Sequence, residues 1–384
     1  MSRIKLAMVT SFPRDPARPH GGVEAVSVNL AQALSRIDDI DVHVVTLDAA
    51  LREATREKWG NAMLHRLPRG AGSELTYATG RGRAQIHAAL AELDPDVVHA
   101  HDTYGLMTKG VDLPRVFTIH GFIYGDTLVS GQKFPWLRSR IWERVEKGGW
   151  ADQPNIISIS PYVRERLAGI GSPVIYDIDN PISADFFDIR RDERPGVVFC
   201  AAAICPRKNQ VKLVQAVAAL AKRGVEVELR LAGGVTDASY GELMRQEIAR
   251  LGVQGQVRML GQIGTPEVMR QLQEASVFAL VSLEENSPMG IEEAMAARVP
   301  VLTSNRCGMP YMVSHGETGY LVDPFDVGDI ERRLGRLLGD AGLRSAMGER
   351  SHAVAQARFH PERVARRTLE VYRESLERAG ARTI

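Results

Sequence analysis

Short runs of β-branched and apolar residues alternate with longer stretches of helical periodicity along almost the whole chain. In the first half, IKLAMVT from Ile4, DVHVVTL from Asp41, DVVHAH from Asp96, RVFTIH from Arg115 and NIISIS from Asn155 read as buried strands. Between the first two lies VEAVSVNLAQAL, whose apolar residues fall on one side of a helix. Buried strands joined by helices are the signature of a parallel sheet with helical crossovers. The alternation breaks at the charged stretch Asp188–Pro195 (DIRRDERP), then restarts with GVVFCAAA, VEVELRLAG, QVRMLG, SVFALVS and VPVLTS. This pattern predicts an α/β chain with two doubly wound Rossmann-like domains facing a central cleft. Their expected extents are residues 1–188 and 189–360, followed by a helix over 361–384. Ligands of such sheets sit beyond the carboxyl ends of the strands, so the residues after each strand deserve the closest reading.

Composition adds mainly exclusions. A chain of 384 residues suits two domains of roughly 150 residues each. With 48 Lys plus Arg against 47 Asp plus Glu, it lacks the cationic excess of a nucleic-acid binder. No apolar run approaches the ~18 residues that a membrane-crossing helix needs. The opening MSRIKLAMVTSFPRD breaks at Pro13 and reads as a first strand rather than a signal peptide. Three cysteines (Cys200, Cys205, Cys307) without a CxxC pair suggest a reducing cytoplasm and no disulfide framework or structural zinc.

The most informative stretch is VSLEENSPMGIEEAMAARVPVLTS, from Val281. A strand ends near Ser282 and a helix is expected to begin at Ser287–Pro288, with Ser as N-cap and Pro just inside. Backbone N–H groups at Ser287, Pro288's neighbours Met289 and Gly290, and the positive end of the helix dipole would suit phosphate or sugar oxygens. Glu285 and Glu293 are too far apart in sequence for an i,i+4 surface pair; taken alone, they also fit an acidic first turn facing solvent. In AAAICPRKNQVKLVQA, from Ala201, Arg207 and Lys208 stand at a helix mouth, where cations oppose the dipole and so hint at an anion. Gly21–Gly22 precedes the first helix and would let backbone approach a ligand, although a plain turn explains it equally well. His120 ends a predicted strand; His99 and His101 point to one face of another and read as structural. Two acidic pairs, Asp94/Asp96 and Asp177/Asp179, look like DxD metal motifs, but their positions favour structural roles. FPWLRSRIWERVEKGGW, from Phe134, gathers three of the four tryptophans among Lys133, Arg138, Arg140, Arg144 and Lys147. Packing of this helix on the N-terminal domain is the narrowly favoured reading, and an anionic membrane surface stays open.

The Val281 segment resembles the Glu-x7-Glu signature of retaining glycosyltransferases of family 4, which have the GT-B fold. EAMAARVPVLTS is similar to the family's EAMA-x-G-x-PV continuation, with Arg298 where Gly is common. DPDVVHAH, SISPYVRERL, IDNPIS, VRMLGQI and HGETGYLVDP look like further landmarks in family order. The resemblance implies that Glu285 contacts hydroxyls of a donor sugar, Glu293 the ribose, and the loop Asn286–Gly290 the sugar's identity. Lys208 matches the Lys of the family's Arg-x4-Lys diphosphate element; Ala203 stands where the Arg is common, so Arg207 is taken to replace it. Gly21–Gly22 would face the diphosphate and acceptor, His120 the donor sugar, and Ile263 the base. Tyr311, where Glu is common, has no evident catalytic consequence.

By this resemblance, the chain transfers a hexose-type sugar from a UDP or GDP sugar to a saccharide or lipid-linked acceptor. It would retain the anomeric configuration, with no divalent metal and no cofactor beyond the nucleotide sugar. The N-terminal domain would bind acceptor, the C-terminal domain donor, and the last helix would cross back to the first domain. Cytoplasmic residence is expected, with peripheral contact at the inner membrane face through Lys133–Lys147 left open. Rivals on the same architecture are a nucleotide-sugar epimerase or hydrolase, and a non-catalytic nucleotide-sugar sensor.

Overall fold

The computed structural model describes residues 3–129 and 134–382. By contact, the chain forms two units: Met1–Tyr124 with Arg140–Ile182 and Phe359–Ile384, and Gly125–Ser139 with Ser183–Arg358. Lys133 lies outside the described residues.

The first unit is built on eight strands: β1 (Ile4–Val9), β2 (Ile40–Asp48), β3 (Thr55–Trp59), β4 (Ala62–Pro68), β5 (Val97–His101), β6 (Arg115–Ile119), β7 (Asn155–Ser158) and β8 (Val174–Asp177). Their order is β3-β4-β2-β1-β5-β6-β7-β8, parallel except for the β3–β4 hairpin. The helix Gly22–Leu34 buries Val26, Leu30 and Leu34. The C-terminal helix Pro361–Arg382 belongs to the same unit, and its Val364, Leu369 and Tyr372 join Leu30 and Leu34 in one apolar cluster.

The second unit carries six parallel strands: β9 (Val197–Ala201), β10 (Glu228–Ala232), β11 (Val257–Gly261), β12 (Val277–Leu280), β13 (Val301–Ser304) and β14 (Gly319–Val322). Their order is β11-β10-β9-β12-β13-β14. Each sheet has a switch point. β1 lies between β2 and β5, and β9 between β10 and β12, so successive crossovers leave those strands in opposite directions. The loops that follow β1 and β5, and those that follow β9 and β12, are therefore splayed apart at a carboxyl edge.

The charged stretch Asp188–Pro195 is held by the second unit. Asp192 N and Arg194 N donate to Gln273 O (3.0 Å) and Glu274 O (2.8 Å), and Glu193 pairs with Arg344 at 2.6 Å. One expectation needs correction: Ser287 does not cap its helix. That helix runs Met289–Ala296 with Pro288 at the N-cap, and the Ser287 hydroxyl instead donates to Glu292 Oε1 at 2.6 Å.

Candidate active site

In the second unit, β9 leads into a single 3-10 turn, Pro206–Lys208, and β12 into the loop that carries Glu285. The two are tied by backbone. Leu283 N donates to Arg207 O (2.8 Å), and the Arg207 guanidinium donates to Glu284 O (2.8 Å). Asn209, held at φ +59°, donates its amide to Val281 O (3.1 Å) and Pro324 O (2.9 Å). This fastening aims both cations at one carboxylate oxygen: Glu285 Oε1 accepts from Lys208 Nζ and lies 3.0 Å from Arg207 Nη1. Burial alone would raise the Glu285 pKa, but Lys208 and Arg207 outweigh it and the pKa falls. Burial likewise works against the Arg207 charge, and Glu285 and Asp126 more than compensate.

Glu293 has a different setting. It sits one turn into the helix Met289–Ala296 with no cation beside it, and burial pushes its pKa up to about 8. Gly290 has a packing reason to be glycine, since a Cβ there would meet Phe278 Cζ at 2.9 Å and Ala201 O at 3.3 Å. Pro288 is buried, Met289 is half-buried, and Ile263 lies half-buried just past the end of β11. Asp126 went unremarked in the sequence. Its carboxylate is 3.7 Å from Arg207 Nε, a pairing between distant segments that no local pattern announces.

In the first unit, β5 and β6 end side by side. Asp102, directly after β5 at φ +47°, accepts from His120 N at 2.9 Å and also from the Gly121 backbone, and burial raises its carboxyl pKa to about 6. It thereby fixes the loop that carries His120; its place after a strand was the available signal for it. His101 Nδ1 is 2.8 Å from His120 Nε2. Gly21 is the N-cap of the first helix with extended backbone, and a Cβ there would meet nothing within 4 Å; Gly22 begins that helix. The acidic pairs have local partners: Asp96 accepts from Lys5 N (2.7 Å), Asp94 ends a helix at φ +50°, and Asp177 pairs with Arg164 (3.0 Å).

The tryptophan-rich helix Pro135–Trp150 divides by face. Trp142 and Trp150 are buried, and Glu146 between them accepts from Ile123 N (3.1 Å) and Tyr124 N (3.0 Å). Phe134, just ahead of the helix, together with Trp136, Leu137 and Ile141, is exposed; Trp136 keeps 62% of its surface. Among the described residues no helix is long and apolar enough to cross a membrane.

Two family descriptions together match residues 20–354: "Glycosyltransferase Family 4" over residues 20–186 and "Glycosyl transferases group 1" over residues 181–354. An MMP alpha-(1->4)-mannosyltransferase of Mycolicibacterium hassiacum is 26% identical over 75% of this chain and 72% of its own. A GDP-mannose-dependent alpha-(1-6)-phosphatidylinositol monomannoside mannosyltransferase of Mycobacterium tuberculosis is 31% identical over 50% of this chain, and the chain spans about half (54%) of that enzyme's length. In fold, sucrose-phosphate synthase from Thermosynechococcus elongatus superposes with a TM-score of 0.83 at 21% identity, covering 97% of this chain and 99% of that one. With both halves matched in order and the two-sheet architecture shared, the chain belongs to the family 4 glycosyltransferases of GT-B fold.

Proposed function

We propose that the protein is a retaining, metal-independent hexosyltransferase that uses a nucleoside-diphosphate sugar, UDP or GDP, and a saccharide or lipid-linked acceptor. The observation that carries this reading is the convergence of Arg207 and Lys208 on Glu285 beyond the carboxyl edge of the second sheet. A diphosphate leaving group develops charge as the glycosidic C–O bond breaks, and fixed cations stabilise that charge without reorganisation. On donor binding, both cations transfer their hydrogen bonds from Glu285 to phosphate oxygens, and Glu285 is freed to accept from sugar hydroxyls. Glu293 takes the ribose hydroxyls, Ile263 flanks the base, and the loop from Ser287 through Pro288 and Met289 to Gly290 faces the sugar. From the first unit, His120 contacts the donor sugar and Gly21–Gly22 face the diphosphate and acceptor. The bond from sugar C1 to the diphosphate breaks with its electron pair on the phosphate oxygen. The acceptor oxygen bonds C1 on the same face, and its proton passes to that phosphate. The mannosyltransferase names of the relatives favour GDP-mannose as the first donor to try.

The test begins with thermal-shift screening of UDP, GDP and ADP sugars, followed by turnover with candidate acceptors in EDTA and NMR of the product anomer. Inverted product or loss of activity with chelator would contradict the proposal. Lys208→Ala and Arg207→Ala should each lower kcat by about 10²–10³-fold, the usual loss for one preorganised charge. An Arg207→Ala variant with unchanged turnover would return the diphosphate to Lys208 alone. We further propose that the exposed face of Pro135–Trp150 brings the enzyme to an anionic membrane surface, where a lipid-linked acceptor would be met.

A further inference from the structure

The first unit holds a cavity of about 10 Å³ among β5, β6, the helix Gly22–Leu34 and the C-terminal helix, close to the least space that takes one water molecule. Leu30, Ile157, Ile178 and Val364 form the apolar part of its wall, and all four are buried. Several polar groups on the same wall are already matched. His99 Nε2 is 2.7 Å from Thr118 Oγ1, and Thr368 Oγ1 donates to Val364 O at 2.8 Å. His101 and Asn180 differ. Their side chains are 0% and 4% exposed, yet His101 Nε2 and Asn180 Oδ1 have no hydrogen-bond partner among the described residues. Wholly apolar cavities stay dry, whereas a buried polar atom left unmet costs its full desolvation.

What these two atoms require narrows the ligand. Burial holds both neighbouring imidazoles neutral, bringing His120 to about 4 and His101 well below its ordinary value, so each ring has one N–H and one lone pair. His101 Nδ1 meets His120 Nε2 at 2.8 Å, and that contact uses one proton. According to which ring supplies it, His101 Nε2 is left as a bare acceptor or as an N–H. Asn180 Oδ1 is an acceptor in both cases. An ion would suit one of those states at most and would lose its hydration in so small and buried a space. A water molecule donates and accepts, so it meets Nε2 in either state while donating to Asn180 Oδ1. Thr368 Oγ1 keeps lone pairs for a third bond.

We propose that this cavity binds one water molecule, which bridges His101 Nε2 and Asn180 Oδ1. The Asn180 side chain also hydrogen-bonds His120. The water therefore closes His101, His120 and Asn180 into one ring of hydrogen bonds, and it fastens the segment after β8, which carries Asn180, to β5. The site stands whether or not His120 contacts a donor sugar, because every group in it belongs to the first unit and none is left over for substrate.

The test is a high-resolution crystal structure of the full chain, joined to water–protein Overhauser spectroscopy in solution on protein carrying 13C-labelled histidine. Density for one water is expected at about 2.7–3.2 Å from both His101 Nε2 and Asn180 Oδ1. The carbon-bound ring protons of His101, assigned through His101→Asn, should show a water contact of the sign that marks a long-lived, buried molecule. Asn180→Leu, which removes the acceptor and fills part of the space, should abolish both the density and the contact. No density beside ordered His101 and Asn180 side chains would overturn the proposal, as would an ion in that place or a water contact unchanged in Asn180→Leu. Should Asn180→Leu not fold, the wild-type density and contact decide alone.

Discussion

Glu285 and Glu293 are the same residue type a few positions apart on one segment, yet they are held in opposite states. Glu285 has two cations and stays ionised, while Glu293 has none and burial lifts its pKa to about 8. The sign of the consequence follows from linkage. Between about pH 4.5 and 8 the unfolded chain has released this proton and the folded chain has kept it. Glu293 therefore makes stability fall with rising pH across that window, approaching ~1.4 kcal/mol per pH unit for one proton, and has no further effect above it. Glu293→Gln removes the term. Urea unfolding should show the variant's advantage over wild type growing from pH 5 to pH 8 and then levelling off. Parallel curves for the two proteins across that range would show that Glu293 ionises normally. Donor binding should fall in the same variant if ribose hydroxyls are what the carboxylate accepts.

At the level of elements, the site depends on how closely one loop passes another. Gly308 lies just after β13, and its N donates to Glu285 O at 2.8 Å. Its φ of −79° suits any residue, so conformational freedom is not the reason for glycine. Space is the reason: a Cβ would fall 1.6 Å from Asn286 O and 2.5 Å from Asn286 C. Gly308→Ala must therefore push the Glu285–Asn286 backbone away from Arg207 and Lys208. An activity loss of about 10²-fold is expected, the scale of a 1 Å misplacement, and steady-state kinetics beside a denaturation midpoint would separate it from general unfolding. A variant with wild-type kcat would mean that the Glu285 loop need not hold its position. The same contrast between local and tertiary causes explains what could be read in advance. Ten strands announce themselves by apolar runs, and all but the exposed edge strand β11 are largely buried in their sheets. The β3 strand (TREKW) is almost wholly exposed at the sheet edge and has no apolar run, while β8, a half-exposed edge strand, and β14 offer only three consecutive apolar residues each, VIY and YLV. β4 is obscured by its polar His65 and Arg66, which are buried with partners supplied by folding: Arg66 donates to Pro13 O at 2.8 Å, and His65 Nε2 is 3.0 Å from His43 Nδ1. Likewise Glu285, Lys208 and His120 could be picked out because strand ends expose them, whereas Asp126 beside Arg207 and the His101–His120 contact arise only from folding. Arg298 is a third case: the usual glycine there makes sense once the residue is seen at φ +58° behind a helix, where Arg298 is held by Glu349 and His352.

For the molecule as a whole, the open question is where it works, and one helix bears on it. Pro135–Trp150 puts Ser139, Trp142, Glu146 and Trp150 on a buried face, and on the opposite face it leaves Leu137, Ile141, Arg140, Arg144 and Lys147 exposed, with Trp136 beside them. Exposed aromatic and aliphatic groups interleaved with cations suit the headgroup region of an anionic bilayer, where each basic residue contributes about 1 kcal/mol and the attraction is screened by salt. Neither term suffices alone, so binding should require both the anionic lipid and the apolar residues. Sedimentation with phosphatidylcholine vesicles containing phosphatidylglycerol should carry the protein down at low salt, and pure phosphatidylcholine should not. Arg140→Ala with Arg144→Ala removes about 2 kcal/mol and should weaken binding by about thirtyfold. Trp136→Ala should weaken it as well and abolish any vesicle-induced blue shift in tryptophan emission, because Trp142 and Trp150 are already buried. Protein that stays in the supernatant with both vesicle types would leave this face as an ordinary solvated surface, and the acceptor would then have to be one that reaches the enzyme in water.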